Sequence, residues 1–287
     1  MFIKVADRSL APAMLVTGRL WLAALTLALL VPAVVGGRQT LAALRLAWRP
    51  LVALGLVNTA VPFWLLSWGE TKIDSGLASI IQASVPIFNA LIAFGFFHDQ
   101  RVGGRRLAGV AIGFVGVALL VGAQPHAKVL GALAVVGMAL CYGTGGLMAR
   151  RFLIGTQPYV VALGSTGAAA VAILPAGLAQ APHHVPATEG IASVCVLGIV
   201  CTGIAYLLNY TIIAKAGAAY SALVTYLIPP IALFYGAIFL GEGISAVAVG
   251  GLALILVGVL LGTRGSLGAW SRFAGRRFAT STGSSSS

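Results

Sequence analysis

Long apolar runs alternate with short polar stretches along almost the whole chain. Nine runs stand out, at roughly 11–35, 51–69, 75–97, 104–123, 128–148, 157–179, 190–210, 216–240 and 244–263. Each is about 20 residues long, enough for a helix rising ~1.5 Å per residue to cross a hydrocarbon core of about 30 Å. The connections are short, as in His98-Asp99-Gln100-Arg101, Arg150-Arg151 and His183-His184. The runs are continuous rather than alternating with the two-residue period of a barrel strand, so they predict helices. Composition agrees: 59% of the residues are hydrophobic, 8% are charged and the mean hydropathy is +1.01. Ordinary globular domains are about a quarter charged, so a soluble enzyme and a disordered chain are both excluded. The fold class is an all-α polytopic membrane protein.

A repeat runs through the pattern. At an offset of 143, Leu54/Leu197, Gly55/Gly198, Val57/Val200, Thr59/Thr202, Leu65/Leu208, Lys72/Lys215, Pro86/Pro229 and Phe96/Phe239 coincide. At 142, Gly109/Gly251, Ala111/Ala253, Val115/Val257, Gly116/Gly258, Val117/Val259 and Leu119/Leu261 agree, and upstream Pro12 answers Pro158. The expected units are residues 1–123, residues 128–263 and a basic, Ser/Thr-rich tail at 264–287 that is too polar to order itself. The second unit counts five spans and the first only four, which predicts one further helix ahead of Phe2. The alternative for residues 1–35, a cleaved signal peptide ending near Val31-Pro32-Ala33, conflicts with the repeat, which makes 11–35 an ordinary span.

Charge then sets orientation. The chain carries 18 Lys+Arg against 6 Asp+Glu, a net +12. In a soluble protein that balance points to nucleic acid; in a lipid-embedded one it reports topology, so no nucleic-acid partner is expected. One set of loops and the tail hold Arg38, Arg45, Arg49, Arg101, Arg105, Arg106, Arg150, Arg151, Lys215, Arg264, Arg272, Arg276 and Arg277. The other side holds only Lys4, Arg8, Lys72 and Lys128. The richer side, with the C-terminus, is expected in the cytoplasm of a cell that carries the chain in its plasma membrane, a bacterial inner membrane. Two five-helix units, five being odd, must then face opposite ways, as in the inverted repeats of secondary transporters.

The five-plus-five duplication resembles the drug/metabolite transporter superfamily in its EamA-like branch. Further points of similarity are Phe2-Ile3-Lys4-Val5 followed by Pro12 and Arg19, and Gly76-Leu77-Ala78-Ser79-Ile80 with Pro86. The closing patterns Gly109-x6-Gly116-Val117 and Gly251-x6-Gly258-Val259 fit as well. The acidic helix end usual in the family is Gly241-Glu242 in the second unit and His98-Asp99 in the first. The resemblance covers nearly the whole chain except the tail. It implies a secondary transporter, with export of a small metabolite as the expected direction.

The span centres lack ionisable residues. Glu70, Lys72, Asp74, Asp99, Lys215 and Glu242 fall near predicted ends, where anchoring and helix-end pairing explain them, and Glu70 and Asp74 flank Lys72. Arg19 lies about a turn inside its span and is the candidate partner of an anionic group or of backbone carbonyls. Pro86 and Pro229, matched near mid-span, remove a backbone hydrogen bond and mark a kink, hinge or midplane site, with a tolerated packing kink as the alternative. The candidate cavity lining is Asn58, Trp64, Ser67, Trp68, Gln82, Ser84 and Asn89 in the first unit. In the second it is Tyr206, Asn209, Tyr210, Thr225 and Tyr226, with Tyr142 and Thr144 between. Interhelical hydrogen bonds and an interfacial aromatic belt are the competing explanation for these residues. The glycines Gly109, Gly113, Gly116, Gly143, Gly145 and Gly146 read as close-packing positions, within the chain or between copies in a homo-oligomer. Cys141, Cys195 and Cys201 read as small buried residues, since no metal or redox spacing joins them.

Three functions compete on these grounds. A secondary transporter would bind a neutral or zwitterionic small molecule, amino-acid-like or drug-like, near the midplane. Proton antiport through Glu70, Asp74 or Asp99 is open to it. A membrane enzyme on lipid-linked substrates would need clustered acids or histidines, whereas six acids and four histidines are scattered here. A non-transporting scaffold is the third. No cofactor and no metal site is expected, and the partners are the small-molecule substrate and the bilayer.

Overall fold

The structure, a computed structural model, describes residues 2–96, 104–122, 126–182, 185–216, 228, 231–239, 241, 243 and 245–261. Thr225, Tyr226, Pro229, Asp99, Glu242 and the tail at 264–287 lie outside them. The described residues are helical, with no strand among them. A short helix α1 (Phe2–Ala6) turns into α2 (Pro12–Val35), the first long apolar helix. Its 24 residues reach about 36 Å, enough to cross a bilayer. Pro12 opens α2 where the missing N–H is no loss. Gly36, at φ +96°, takes a left-handed turn that a side chain would resist and leads directly into α3 (Gly37–Leu46).

The next span, Trp48–Glu70, is built from α4 (Trp48–Gly55), a π-helical segment Leu56–Ala60 and α5 (Val61–Glu70). Then come α6 (Ser75–Gln82) and α7 (Val85–Phe96), followed by α8 (Gly104–Gly122), α9 (His126–Phe152) and α10 (Pro158–Ala179). The second half repeats the interrupted span as α11 (Thr188–Cys195), a π-helical segment Val196–Ile204 and α12 (Ala205–Ala216). Residues 231–239 are helical, and α13 (Ala246–Leu261) is the last described helix. The five longest apolar stretches have the length and hydropathy of membrane spans.

The expected kink at Pro86 is a full break. α6 stops at Gln82, the N–H groups of Ala83 and Ser84 turn back to Ile80 and Ile81, and α7 starts at Val85. Proline has no N–H and its ring would strike the carbonyl of Gln82, so the second half-helix begins with Pro86 in its first turn. Pro32 and Pro175, by contrast, sit inside α2 and α10 without ending them.

The repeat appears in the packing as paired contacts. Carrying Pro12/Pro158 and Leu54/Leu197 along their helices matches Gly18 with Gly164, Arg19 with Ser165, Leu51 with Val194 and Gly55 with Gly198. Gly18 faces Val194 while Gly164 faces Leu51, and Gly198 lies against the backbone of Arg19 while Gly55 lies against the carbonyl of Ser165. Each Pro-led helix therefore packs on the other half's interrupted span. The closing helices obey the same pairing: Gly116 meets the carbonyl of Gly251, and Gly258 meets that of Gly109. These glycines thus serve packing within the chain. The π segments coincide too, since 56–60 shifted by 143 is 199–203, inside Val196–Ile204.

Inside the bundle, Leu15, Leu20, Ile73, Ile80, Ile81, Leu120, Met138 and Ile255 form one core drawn from both halves. Outside, Leu25, Leu29, Phe114, Val171 and Phe234 are exposed, an apolar surface suited to lipid rather than water. Cys201 belongs to that outer surface, and Cys141 and Cys195 are half-buried, so the cysteines are less enclosed than their apolar context predicts. α2 is an integral member of this packing, with Leu15, Leu20, Leu27 and Val31 wholly buried.

A Cβ at Gly198 would stand 2.8 Å from the Arg19 carbonyl. Gly198→Val is therefore expected to cost about 1–3 kcal/mol and lower the thermal midpoint in detergent. Gly37→Ala, which points into open space, should leave that midpoint unchanged. Equal midpoints for the two variants would refute the close α2 contact.

Candidate functional site

The site begins with the close approach at Gly198, which brings α2 against the π segment of the second half. Arg19 lies seven residues beyond Pro12, two helical turns or about 10 Å into the span, deeper than its sequence position near the run's edge implied. Its Nε donates to the Thr202 hydroxyl at 2.9 Å. Thr202 is fully buried and its own proton goes to the Leu197 carbonyl, five residues back, at 2.7 Å. That i−5 reach belongs to the π-helical turn, in which carbonyls are set wider than in an α-helix. The threonine is thereby oriented as an acceptor toward Arg19.

Phe63 on α5 supplies the floor. The guanidinium carbon lies 4.0 Å from the centre of its ring, a close cation–π stack. Tyr142 of α9, Tyr206 of α12 and Glu70 at the end of α5 are near enough to act on Arg19 electrostatically. Arg19, Tyr142 and Tyr206 lie deep in the bundle, and each keeps part of its surface free. Among the described residues Arg19 has no carboxylate within ion-pair distance, and its two Nη groups have no protein acceptor. A guanidinium so enclosed is expensive unless an anion or water meets its outer edge.

One stripe of α5 continues the site. Phe63, Ser67 and Glu70, at spacings of four and three, share a face, and all three are buried. The Ser67 hydroxyl donates to Asp7 Oδ1 at 3.2 Å, from the turn after α1, while Asp7 Oδ2 is buried with no hydrogen-bond partner. Burial first, and then the neighbouring Glu70 charge, push the Asp7 carboxyl from the ordinary 3.8 up to about 7, against the Ser67 hydrogen bond and the charge of Lys4. Lys4 itself is paired with Asp74 at 3.5 Å.

The structure thus gathers Arg19, Glu70, Tyr142 and Tyr206. Other candidates go elsewhere. Trp64 is 37% exposed on the outer surface, about 100° round the helix from Phe63, and faces away from Arg19. Trp68 is half-buried under Lys72, whose Nζ lies 5.5 Å from the ring centre. Asn58 fits against Gly145 of α9 as a helix-packing contact. Ser84 is fully buried at the α6–α7 break and donates to the Ile81 carbonyl, and Gln82 is half-buried at the end of α6. Thr144 bonds the Leu140 carbonyl, and Asp74 takes the N-cap position of α6 beside Lys4. Asn209 is half-buried on α12; the side chains of Asn89 and Tyr210 lie outside the described residues, as do Thr225, Tyr226 and Pro229.

Phe63, Thr202 and Asp7 were not among the candidates. The shared face of Phe63, Ser67 and Glu70 was visible in the helical spacing, and Thr202 in the Thr59/Thr202 match. Nothing local marks Asp7, which stands between Lys4 and Arg8 and reads as a solvated turn.

The sequence profile of the EamA-like transporter family matches twice, over residues 1–122 and 129–264. The chain belongs to the EamA-like transporter family. It is 32% identical over 229 residues to a probable terminal-alkyne amino-acid exporter of Streptantibioticus cattleyicolor, covering 76% of this chain and 74% of that one. It is 29% identical over 232 residues to an uncharacterized transporter of Archaeoglobus fulgidus, covering 77% of this chain and 80% of the relative. A solved crystal structure superposes with a TM-score of 0.66 at 20% identity over 91% of each chain, and so shares the fold. This EamA-like protein is accordingly a multi-pass membrane transporter, and the family points away from an enzyme.

Thr202 offers a direct check of the arginine's anchoring. Thr202→Val keeps the shape but leaves Arg19 Nε without its acceptor, which should cost about 1–3 kcal/mol in unfolding experiments in detergent. Thr202→Ser should recover most of that loss. A valine variant as stable as the parent would show that the guanidinium is held by other groups.

Proposed function

We propose that this EamA-like transporter exports a small amino-acid-type metabolite from the cytoplasm, with Arg19 as the anchor for its carboxylate. The observation that carries this reading is the enclosed guanidinium with open Nη groups beside Phe63, Tyr142 and Tyr206. A planar fork of N–H donors matches a carboxylate in two parallel hydrogen bonds, and aromatic walls suit an uncharged side chain. The relative named as a probable amino-acid exporter supports the same class of solute and the outward direction. The basic loops and tail support a cytoplasmic C-terminus in a cell membrane.

The transport cycle follows from the architecture. The paired Pro-led helices, each packed on the other half's interrupted span, support an inverted repeat whose halves rock around the site between them. The broken α6–α7 helix, with Pro86 at its restart, is the hinge the first half offers. Chemistry is absent from this scheme: the solute binds, the halves exchange access, and the solute leaves unchanged.

Reconstituted vesicles loaded with radiolabelled small apolar L-amino acids, beside the amines that lack the carboxyl group, provide the test. Arg19→Ala is expected to lower saturable amino-acid flux by about ten- to a hundredfold, the factor that corresponds to losing ~1.5–3 kcal/mol of charged hydrogen bonding. The amines should move poorly with either protein. Amino-acid flux unaffected by Arg19→Ala would overturn the anchor, and saturable amine flux equal to that of the amino acids would overturn the carboxylate.

A further inference from the structure

Helix α1 touches both halves. It packs on α5 of the first half and on α11 of the second, with Ile3 and Ala6 buried between them. Ser9, in the turn that follows, lies over Gly190 of α11, where a Cβ would press on its hydroxyl. On the first-half side the contact is polar: Asp7 Oδ1 accepts from Ser67, and Lys4 pairs with Asp74 at the start of α6. Any rocking of one half against the other must therefore change the contacts of α1, and Asp7 is its polar hold on α5.

The groups around Asp7 make that hold sensitive to one proton. Glu70 of α5 is a buried carboxyl close enough to act on it. Arg19 of α2 interacts with Glu70 from the other side. Lys4 on α1 opposes the effect of Glu70, with its ammonium already shared with Asp74. From the remaining neighbours, Arg8 and Glu189 of α11 are exposed, and Cys201 of the π segment lies on the outer surface. Two carboxylates this close repel when both are ionised, and the uncommitted Asp7 Oδ2 is where a proton removes the repulsion.

We propose that Asp7 is a proton-operated latch: protonated, it holds α1 between the two halves, and ionised, it is pushed off α5 by Glu70, freeing the halves to move. The step is a simple protonation, Asp7 carboxylate plus solvent proton giving the carboxylic acid. Arg19 bears on Asp7 through Glu70 alone, and the latch does not depend on what solute is carried. Since burial and Glu70 bring the Asp7 carboxyl to about 7, the latch would respond around neutral pH. The sign is that of an acid with a raised folded value: the closed form is favoured at low pH and loses ground as pH rises from 3.8 through about 7.

The test uses the full chain in lipid, with spin labels at two exposed sites, Arg8→Cys after α1 and Thr71→Cys at the end of α5, and the three native cysteines replaced by alanine. Pulsed dipolar spectroscopy would follow the distance between α1 and α5, and infrared difference spectroscopy the protonated carboxyl band. Expected is a short distance at low pH that lengthens and broadens with a midpoint near 7, together with loss of the carboxyl band. Asp7→Asn should hold the short distance at every pH and abolish the band. Glu70→Gln should move the midpoint down and Ser67→Ala up, each shift of one pH unit being a tenfold change in proton affinity; a merely structural role predicts no such opposed shifts. A distance independent of pH, or a transition that survives Asp7→Asn, overturns the latch. If Asp7→Asn does not fold, absence of the opposed shifts in the other two variants overturns it as well. The Arg19→Ala variant separates this idea from the transport reading: loss of flux with the pH-dependent distance intact leaves both standing, and loss of the distance change alone sinks only the latch.

Discussion

Inside a bilayer there is no water to satisfy a loose backbone group or a bare charge, and the architecture follows from that scarcity. Each π segment keeps one face against protein, Thr59 and Ala60 in the first half and Leu197, Gly198, Thr202 and Gly203 in the second. The π segment Val196–Ile204 lies under α2, and its Leu197 carbonyl is taken by the Thr202 hydroxyl. The break before Pro86 is closed by N–H groups turning back to Ile80 and Ile81, with the Ser84 hydroxyl on the same Ile81 carbonyl. The enclosed charge of Arg19 is met inside the bundle by the Phe63 ring and the Thr202 hydroxyl.

Glycine makes that concentration possible. The helices meet backbone to backbone at Gly55, Gly198, Gly116 and Gly258, and the contacts come in pairs that exchange the two halves. A symmetric scaffold carries an asymmetric site: where the first half has Arg19, the second has Ser165, whose hydroxyl returns to its own helix at Val161. The duplication thus provides two equivalent helix crossings, and only one of them bears a charge.

Much of the fold was legible because apolar run length is a local property. Every described long helix coincides with a run read from the chain, and Pro86, read there as the place of a kink, stands at the α6–α7 break. The site was legible only in part. Arg19 was recognised as unusual, but its depth was underestimated because a span's edge in sequence is blurred by a turn or more. Trp64 and Asn58 were chosen by residue type, and type cannot say which way a helix is rotated: one position separates the buried Phe63 from the exposed Trp64.

Taken alone, the chain determined that this is a helical membrane protein built from two similar halves, because hydrophobic length and internal matches need no knowledge of contacts. It also marked the places where helices would break or approach closely, since proline and glycine act on their own backbone. Only the tertiary structure decided that Asp7 faces Ser67 and Glu70, sixty or more residues away, and that Arg19 rests on Phe63 and Thr202 from different halves. Those meetings depend on the rotation and depth at which helices pack, set by the summed contacts of the whole bundle rather than by any short segment of it.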